Sequence, residues 1–364
     1  MPPKRIDSLQ VYRAIAAIMV VLFHMTDLSL REFDTPFLGN IFTFGYVGVD
    51  FFFVLSGFII LYIHKKDVGR KGQTKRYLTK RFIRLYPIYW GVASVKIMVV
   101  WLMPTFAKSY ETDVGYIIKS LLLIPQKHLP IIGAAWTLSY EVWFYLLFGL
   151  AILIGARWAL RLGIIWVIAI MGVLIGKAAG ISIFGTTILT GFLLNERNLE
   201  FILGCLAAYW VMKGQVKYSK RIAMVGGVLF LFWSWWVNQG LEIFSFTFTF
   251  GIASFLLVVG SASLETRRHL PWPKPLVFLG DASYSIYLTH DMFLNIFTLT
   301  FLQLGLLSRV HPLLMSLTMV ILAIAGGSFI YLFLEKPLIH NLRMRLLGSP
   351  KSIKPLIDIQ KVST

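Results

Sequence analysis

Charged side chains are scarce in this sequence, and cysteine is nearly absent. Asp, Glu, Lys and Arg make up 14% of the 364 residues, whereas soluble domains carry roughly 25%. This scarcity excludes an ordinary soluble protein. The single cysteine, Cys205, excludes an intrachain disulfide framework and any metal site built on several thiolates. We expect Cys205 to pack between helices.

Long apolar runs recur along the sequence, and 57% of the residues are hydrophobic. Each run of about 20 residues is long enough to cross a hydrocarbon core about 30 Å thick. Because few polar residues precede the first run and no cleavage pattern follows it, we expect a retained helix there. The sequence predicts an all-α polytopic membrane protein of about ten transmembrane helices, at 10–29, 45–63, 85–103, 136–155, 163–180, 198–212, 222–238, 243–263, 278–302 and 312–334.

Positive charge is distributed unevenly between the two sides of these predicted spans. Of 35 Lys and Arg residues, 27 lie on the side of the N-terminus, so the positive-inside rule predicts that both termini are cytoplasmic. The net charge of +18 is therefore explained mostly by the orientation of the protein in the membrane, and nucleic acid is not an expected partner. The basic 64–84 loop is expected to contact anionic lipid headgroups. No internal repeat is visible, which argues against a transporter built from two related halves.

Two segments on the outer side, 104–135 and 181–197, mix polar and apolar residues. We expect a short interfacial helix at 114–124 and a re-entrant piece at 185–194. Such pieces would cover an acceptor site.

Ionisable side chains within the spans are few, and each is costly unless it faces the bundle interior and finds a partner. Arg13 and His24 are eleven residues apart, which returns them to within about 20° of one helix face and separates them by roughly 16 Å. They should therefore face one cavity at two depths. The complete set is Arg13, His24, Asp50, Lys96, Glu141, His290 and Asp291.

The depths of these residues predict two layers. His24, Asp50, Glu141 and His290 should converge in the outer half of the bilayer. An anionic donor held by guanidinium groups would suit the inner side. A largely neutral histidine near the donor's reactive end would act as general base, with Glu141 or Asp50 orienting the imidazole. The inner layer would contain Arg13, Arg81, Arg84, Glu335 and Lys336.

Six motifs follow one another along nearly the whole chain. They are RAIAAIMVVLFH (13–24), GYVGVDFFFVLSGFII (45–60), KRFIRLYPIYW (80–90), WTLSYEVWFY (136–145), FLGDASYSIYLTH (278–290) and EKP (335–337). In this order they resemble the acyltransferase 3 family of integral membrane O-acyltransferases, and most of all its exopolysaccharide-modifying branch in the bacterial inner membrane. We interpret 1–345 as the family's transmembrane domain and 346–364 as a loose cytoplasmic tail.

The resemblance implies acyl-coenzyme A, usually acetyl-CoA, as the cytoplasmic donor and a hydroxyl of a surface or exported saccharide, free or lipid-linked, as the acceptor. Membrane lipids and polysaccharide assembly machinery would be partners, and no metal is expected. Many relatives carry a further extracytoplasmic hydrolase-like domain that completes the transfer. This sequence ends before such a domain, so we expect transfer to be direct or completed by another protein.

The family's functional residues can be carried onto matching positions. Arg13 and His24 match its essential arginine and histidine, and His24 is the expected base for the acceptor hydroxyl. Arg81 and Arg84 match the arginine pair before Tyr-Pro and are expected to contact the phosphates of coenzyme A. Glu141 matches the acidic position after Trp-x-Leu, a candidate for orienting His24 or binding the acceptor.

Other motif positions have less specific expected roles. Ser56 and Gly57 match a Ser-Gly-Phe turn, where small residues would let helices or a pantetheine arm approach closely. Trp136, Tyr284 and His290 are expected to bind substrate.

Several of these positions have a second interpretation. Ser56 is a candidate covalent nucleophile, although its apolar surroundings favour helix packing. His290 and Asp291 form a second candidate base and orienting pair. Asp50 has a structural alternative as a partner of Arg13 or His24. Glu335 matches a motif position, but the Pro that follows it also suits a helix end.

Two other classes of function stay open. A transporter or flippase for a lipid-linked saccharide would also need intramembrane charges, but it would not depend on acyl-coenzyme A. A non-catalytic subunit of a polysaccharide export complex would need no convergent titratable groups. Among enzymes, peptidoglycan, a lipid or an antibiotic sugar is an alternative acceptor, and succinyl or a longer chain is an alternative acyl group.

Overall fold

The computed structural model describes residues 5–103, 107–181, 187–214, 216–268, 270–306 and 309–348. These ranges contain helices, turns and loops and no β-strand, which confirms the all-α prediction. The helices are α1 (Asp7–Phe33), α2 (Gly48–His64), α3 (Gln73–Leu102), α4 (Val114–Leu121), α5 (Trp136–Ile154), α6 (Ala156–Ala178), α7 (Ile188–Leu193), α8 (Arg197–Lys213), α9 (Ser219–Asn238), α10 (Ile252–Arg267), α11 (Lys274–Gln303), α12 (Pro312–Ile330) and α13 (Lys336–Leu347).

Eight helical stretches of the described chain are long and apolar enough to cross a membrane. Each of the ten predicted spans coincides with a helix of the structure. The two spans outside the eight are α8, which has only 17 residues, and α11, which carries Asp281 and Asp291. A multi-pass membrane protein is therefore confirmed, while the count of ten and the cytoplasmic termini stay predictions.

One end of the helix bundle gathers the start of α1, the end of α10 and the first turns of α11. The backbone N–H groups of Asp7 and Ser8 donate to the Glu265 carboxylate at 2.7 and 2.9 Å. Arg5 forms an ion pair with Asp281 at 3.1 Å. We call this the inner end, after the predicted topology, and the opposite end the outer end.

Glycine allows α2 and α8 to pack with their backbones in contact. A Cβ atom on Gly57 would lie 2.0 Å from the carbonyl oxygen of Phe201, and one on Gly204 would lie 2.0 Å from that of Val54. No side chain fits at either position. Cys205 lies in the same interface, with its Sγ atom 3.5 Å from the Gly57 carbonyl oxygen. Gly57 therefore serves the packing of α2 on α8.

The third helix begins earlier than predicted. It starts at Gln73 rather than 85, so the second half of the expected 64–84 loop is helical. Lys and Arg are good helix formers, and no glycine or proline interrupts the stretch between Gly72 and Pro87. High charge alone was therefore a misleading sign of a loop.

Helix α13 follows the last predicted span, and only its final two residues belong to the tail predicted at 346–364. A π-helical turn over Tyr331–Glu335 leads directly into it. Pro337 occupies its first turn, where the missing N–H is tolerated. The interpretation of this proline as a helix end is therefore wrong.

Both segments predicted to cover the outer side contain a short helix. The end of α4 is fixed to α3, since Trp90 Nε1 donates to the Leu121 carbonyl at 2.9 Å. The end of α7 packs against the middle of α6, where Trp166 Nε1 donates to the Leu193 carbonyl at 2.8 Å. Residues 182–186, in part predicted as re-entrant, lie outside the described residues.

Candidate active site

An elongated cavity of about 440 Å³ lies between α1, α2, α3, α5, α11 and α13. It follows α2 from Val49 to His64, a length of about 22 Å at 1.5 Å per residue. The cavity is therefore elongated along α2. The polar side chains in its wall are Arg13, Ser56, His64, Lys80, Arg81, Arg84, Thr137, Glu141, Tyr145, Ser283, Tyr284, Tyr287 and Arg343.

Arg84 is held by contacts that balance its charge. It forms an ion pair with Glu335, which is fully buried. The other oxygen of Glu335 accepts a hydrogen bond from Ser285 Oγ at 2.6 Å. The guanidinium lies 5.3 Å from the ring centre of Tyr284, whose hydroxyl donates to the Leu85 carbonyl at 2.7 Å. Arg84 thus already has a carboxylate partner.

Arg81 has aromatic neighbours instead. Its guanidinium lies 5.5 Å from the ring centres of both Tyr77 and Tyr145. Its buried Nε has no hydrogen-bond partner among the described residues. The Tyr145 hydroxyl donates to Glu141, and Ser56 Oγ approaches the same carboxylate oxygen at 3.4 Å. Glu141 is therefore fixed in the cavity wall by Ser56 and Tyr145, and no hydrogen bond to His24 is formed in the described structure.

His64 was missed by the sequence analysis because it sits at the border of the expected basic loop. It is 2% exposed and lines the cavity. Its Nδ1 lies 2.7 Å from a carboxylate oxygen of Asp67. The sequence feature that could have identified His64 is its position directly after a predicted span, three residues before Asp67.

The predicted base, His24, lies beyond this cavity and beside His290. The two ring centres are 4.9 Å apart. His290 donates from Nδ1 to the Tyr287 carbonyl at 2.6 Å, which leaves its Nε2 as an acceptor in the neutral ring. That Nε2 is buried and has no partner in the described part of the chain. His290 is thus oriented by a backbone carbonyl, and Asp291 instead accepts from Asn295 at 3.2 Å.

Tyr287 adjoins both the cavity and the histidine pair. Its ring lines the cavity and lies 5.9 Å from the rings of both His290 and Phe52. Its hydroxyl donates to the Ala134 carbonyl at 3.0 Å. Tyr287 is therefore a direct neighbour of both the cavity and His290.

Asp50 belongs to a third group of contacts. It is fully buried and pairs with Arg197 at 3.2 Å. The Arg197 guanidinium lies over the rings of Trp136 and Phe246, 5.4 and 4.9 Å from their centres. Because Arg197 is the first residue of α8, Asp50 faces that helix. It points away from the cavity residue Ser56, which lies six positions further along α2 and about 240° around the helix.

The predicted inner layer is largely present, and the predicted outer layer is not. All three inner-layer arginines line the cavity, and Glu335 is in contact with one of them. The outer set separates into three places: Glu141 in the cavity, Asp50 against α8, and His24 with His290. The expected substrate residues Trp136, Tyr284 and His290 likewise lie in three different groups.

No cluster of three or more potential metal ligands occurs among the residues that the structure describes. The chemistry of the donor set is also unsuited to a metal, because cations predominate in the cavity wall. The geometry instead suits a long anionic molecule that enters from the inner end, with a pair of imidazoles beyond its innermost part.

Comparison with known proteins agrees with this geometry. The family profile described as an acyltransferase domain (Acyl_transf_3) matches residues 6–332. The chain is 28% identical over 325 residues to the exopolysaccharide production protein ExoZ of Rhizobium meliloti, across 84% of this chain and 93% of that protein. It is 27% identical to the acyltransferase MdmB of Streptomyces mycarofaciens, across 98% and 97% of the two chains.

A second group of relatives is longer than this chain. The peptidoglycan O-acetyltransferase OatA of Listeria monocytogenes is 24% identical over 336 residues, which make up 79% of this chain and 49% of that protein. The chain therefore spans about half the length of that relative. No solved structure matches the chain significantly. By its family profile, which covers most of its length, the chain belongs to the acyltransferase 3 family and is a membrane O-acyltransferase.

Proposed function

We propose that this protein transfers an acyl group, most simply acetyl, from acyl-coenzyme A at the inner end to a hydroxyl group of an exported polysaccharide. The observation that carries the proposal is the arrangement along α1. Arg13 lines the basic cavity, and His24, about 16 Å further along the same helix, contacts His290 on the far side of Tyr287.

The cavity suits the donor in charge and in shape. Lys80, Arg81 and Arg343 line it, and within the described chain no carboxylate lies within ion-pair distance of them. These cations would bind the phosphates, which guanidinium groups contact bidentately. A pantetheine arm is a single extended chain and would lie along α2, which the cavity follows from Val49 to His64. Glu141 would accept a hydrogen bond from one of its amides.

The histidine pair supplies a base for the acceptor. With Nδ1 of His290 donating to a carbonyl, its Nε2 can accept from a ring N–H of His24. The other nitrogen of His24 is then free to take the proton of the acceptor hydroxyl. The hydroxyl oxygen attacks the thioester carbonyl, the carbon–sulfur bond breaks, and coenzyme A leaves as a thiolate that is protonated afterwards. In this proposal the orienting partner of His24 is His290, not Glu141 or Asp50.

The thioester must reach this pair from the cavity. Tyr287 lies between them, so its ring has to rotate aside, or the acyl end has to pass it. The hydroxyl of Tyr287 donates to the Ala134 carbonyl and contacts Thr137 Oγ1, both at 3.0 Å, and each such hydrogen bond is worth about 1 kcal/mol net. Such a restraint is small enough to be released in each cycle.

The relatives favour an exopolysaccharide as acceptor. ExoZ is described as an exopolysaccharide production protein, and its match covers 93% of its length. The peptidoglycan enzyme OatA matches over 49% of its length. We accordingly place this protein in the bacterial inner membrane, with acyl-coenzyme A on the cytoplasmic side.

Radiolabelled acetyl-coenzyme A added to membranes tests the proposal, with ester-linked label in polysaccharide as the readout. We expect label with the wild type and with His128→Ala, because His128 stacks on Tyr110 at 3.9 Å, away from the cavity and the histidine pair. His24→Ala, inserted at a normal level, should give none. Equal labelling by His24→Ala would contradict the role of His24, and polysaccharide ester unchanged on deletion of the protein would contradict this acceptor.

A further inference from the structure

A wider groove lies just outside the mouth of the cavity, between α3 and α13. Its volume is about 840 Å³, against about 440 Å³ for the cavity. Arg343 and Leu347 line both spaces. The groove therefore adjoins the inner end of the cavity.

One face of each helix forms the groove. Lys75, Arg76 and Thr79 come from α3, and His340 and Arg343 come from α13. These positions recur at spacings of three and four residues, which places them side by side on a helix surface. No helix was predicted at the positions that α13 occupies, so the α13 side of the groove was not expected.

Positive charge predominates in the groove. Across the described ranges, Lys75, Arg76 and Arg343 form no ion pair with any carboxylate. At the same end of the bundle, Arg5 and Arg84 do have carboxylate partners. Like charges held together repel each other, so a bound anion would stabilise this arrangement.

We propose that this groove binds the phosphorylated nucleotide of acyl-coenzyme A, with Lys75 and Arg76 contacting its 3′-phosphate. The inference rests on the proposed function. The groove has a volume of about 840 Å³, which is typical of a ligand site and sufficient for a base and ribose, while the adjoining cavity extends along α2 as a pantetheine arm would. Arg343, shared by both spaces, then marks the passage from the nucleotide to the pantetheine arm.

Binding of coenzyme A and of 3′-dephospho-coenzyme A to the purified full-length protein in neutral nanodiscs tests this assignment. The variant is Lys75→Gln with Arg76→Gln, both exposed and therefore compatible with folding. The control is Lys220→Gln with Arg221→Gln, an adjacent Lys-Arg pair at the start of α9 that is also exposed. Both double variants lose the same charge.

We expect the wild type and the control to prefer coenzyme A over the dephospho form by about tenfold or more, as for loss of one charge-assisted hydrogen bond. The groove variant should bind both forms equally. A preference that survives in the groove variant would overturn the assignment. So would a groove variant that keeps the wild-type preference for coenzyme A and loses only its binding to anionic-lipid vesicles, because the groove would then be a contact for lipid headgroups. If the wild type bound neither form, the proposed donor itself would be wrong.

Discussion

Replacing Glu335 by glutamine removes the carboxylate that neutralises Arg84. Glu335 is 0% and Arg84 26% exposed in their side chains, so the remaining guanidinium would be left largely without solvent or counter-charge. Breaking a buried ion pair by removing one partner costs about 3–5 kcal/mol. The glutamine can still accept the hydrogen bond of Ser285 at 2.6 Å, so we expect the lower half of that range.

The assay is thermal unfolding of the detergent-solubilised protein, together with the donor KM. Glu335→Gln should lower the melting temperature and raise the KM, because Arg84 lines the donor cavity. The double variant Arg84→Met with Glu335→Leu should recover most of the stability, since a buried pair replaced by apolar residues is often neutral. It should not recover the KM. A Glu335→Gln protein that is as stable as the wild type would refute the reasoning.

Other substitutions separate the remaining roles. His290→Ala should lower kcat by about a hundredfold with an unchanged donor KM in steady-state kinetics; an effect on KM alone would contradict an orienting role. Arg81→Ala should raise the KM for acyl-coenzyme A and leave kcat nearly unchanged in the same assay. Ser56→Ala should keep most of the wild-type kcat in the same assay, whereas complete loss of activity would support Ser56 as a covalent nucleophile. Gly204→Leu should abolish accumulation of folded protein in membranes, as judged by size-exclusion profile, because its side chain would overlap the α2 backbone.

The spacing of Arg13 and His24 along one helix was readable from the sequence, but the direction around a helix was not. Both residues lie on α1, yet only Arg13 lines the cavity that both were expected to face. Asp50 was expected beside His24 because the two share a depth. It faces α8 instead, since α2 is apolar on every side and has no polar stripe to set its rotation.

The missed elements have a related cause. Residues 73–84 and α13 are rich in charge, which in a membrane protein indicates the side of the bilayer more strongly than it indicates helix or loop. The groove between them depends on two segments more than 260 residues apart, a contact that no local pattern encodes. His64 was overlooked for the same reason, because its role depends on the side chains of α3 that face it.

The single ring of Tyr287 also has a consequence for the membrane itself. A water-accessible basic cavity enters from one face, and two imidazoles that can exchange protons lie immediately beyond this side chain. Histidine is the side chain best suited to relay protons near neutral pH. Tyr287 would thus prevent protons from leaking across the membrane through the protein. Vesicles that contain the Tyr287→Gly variant should lose an imposed proton gradient even in the absence of any acyl donor.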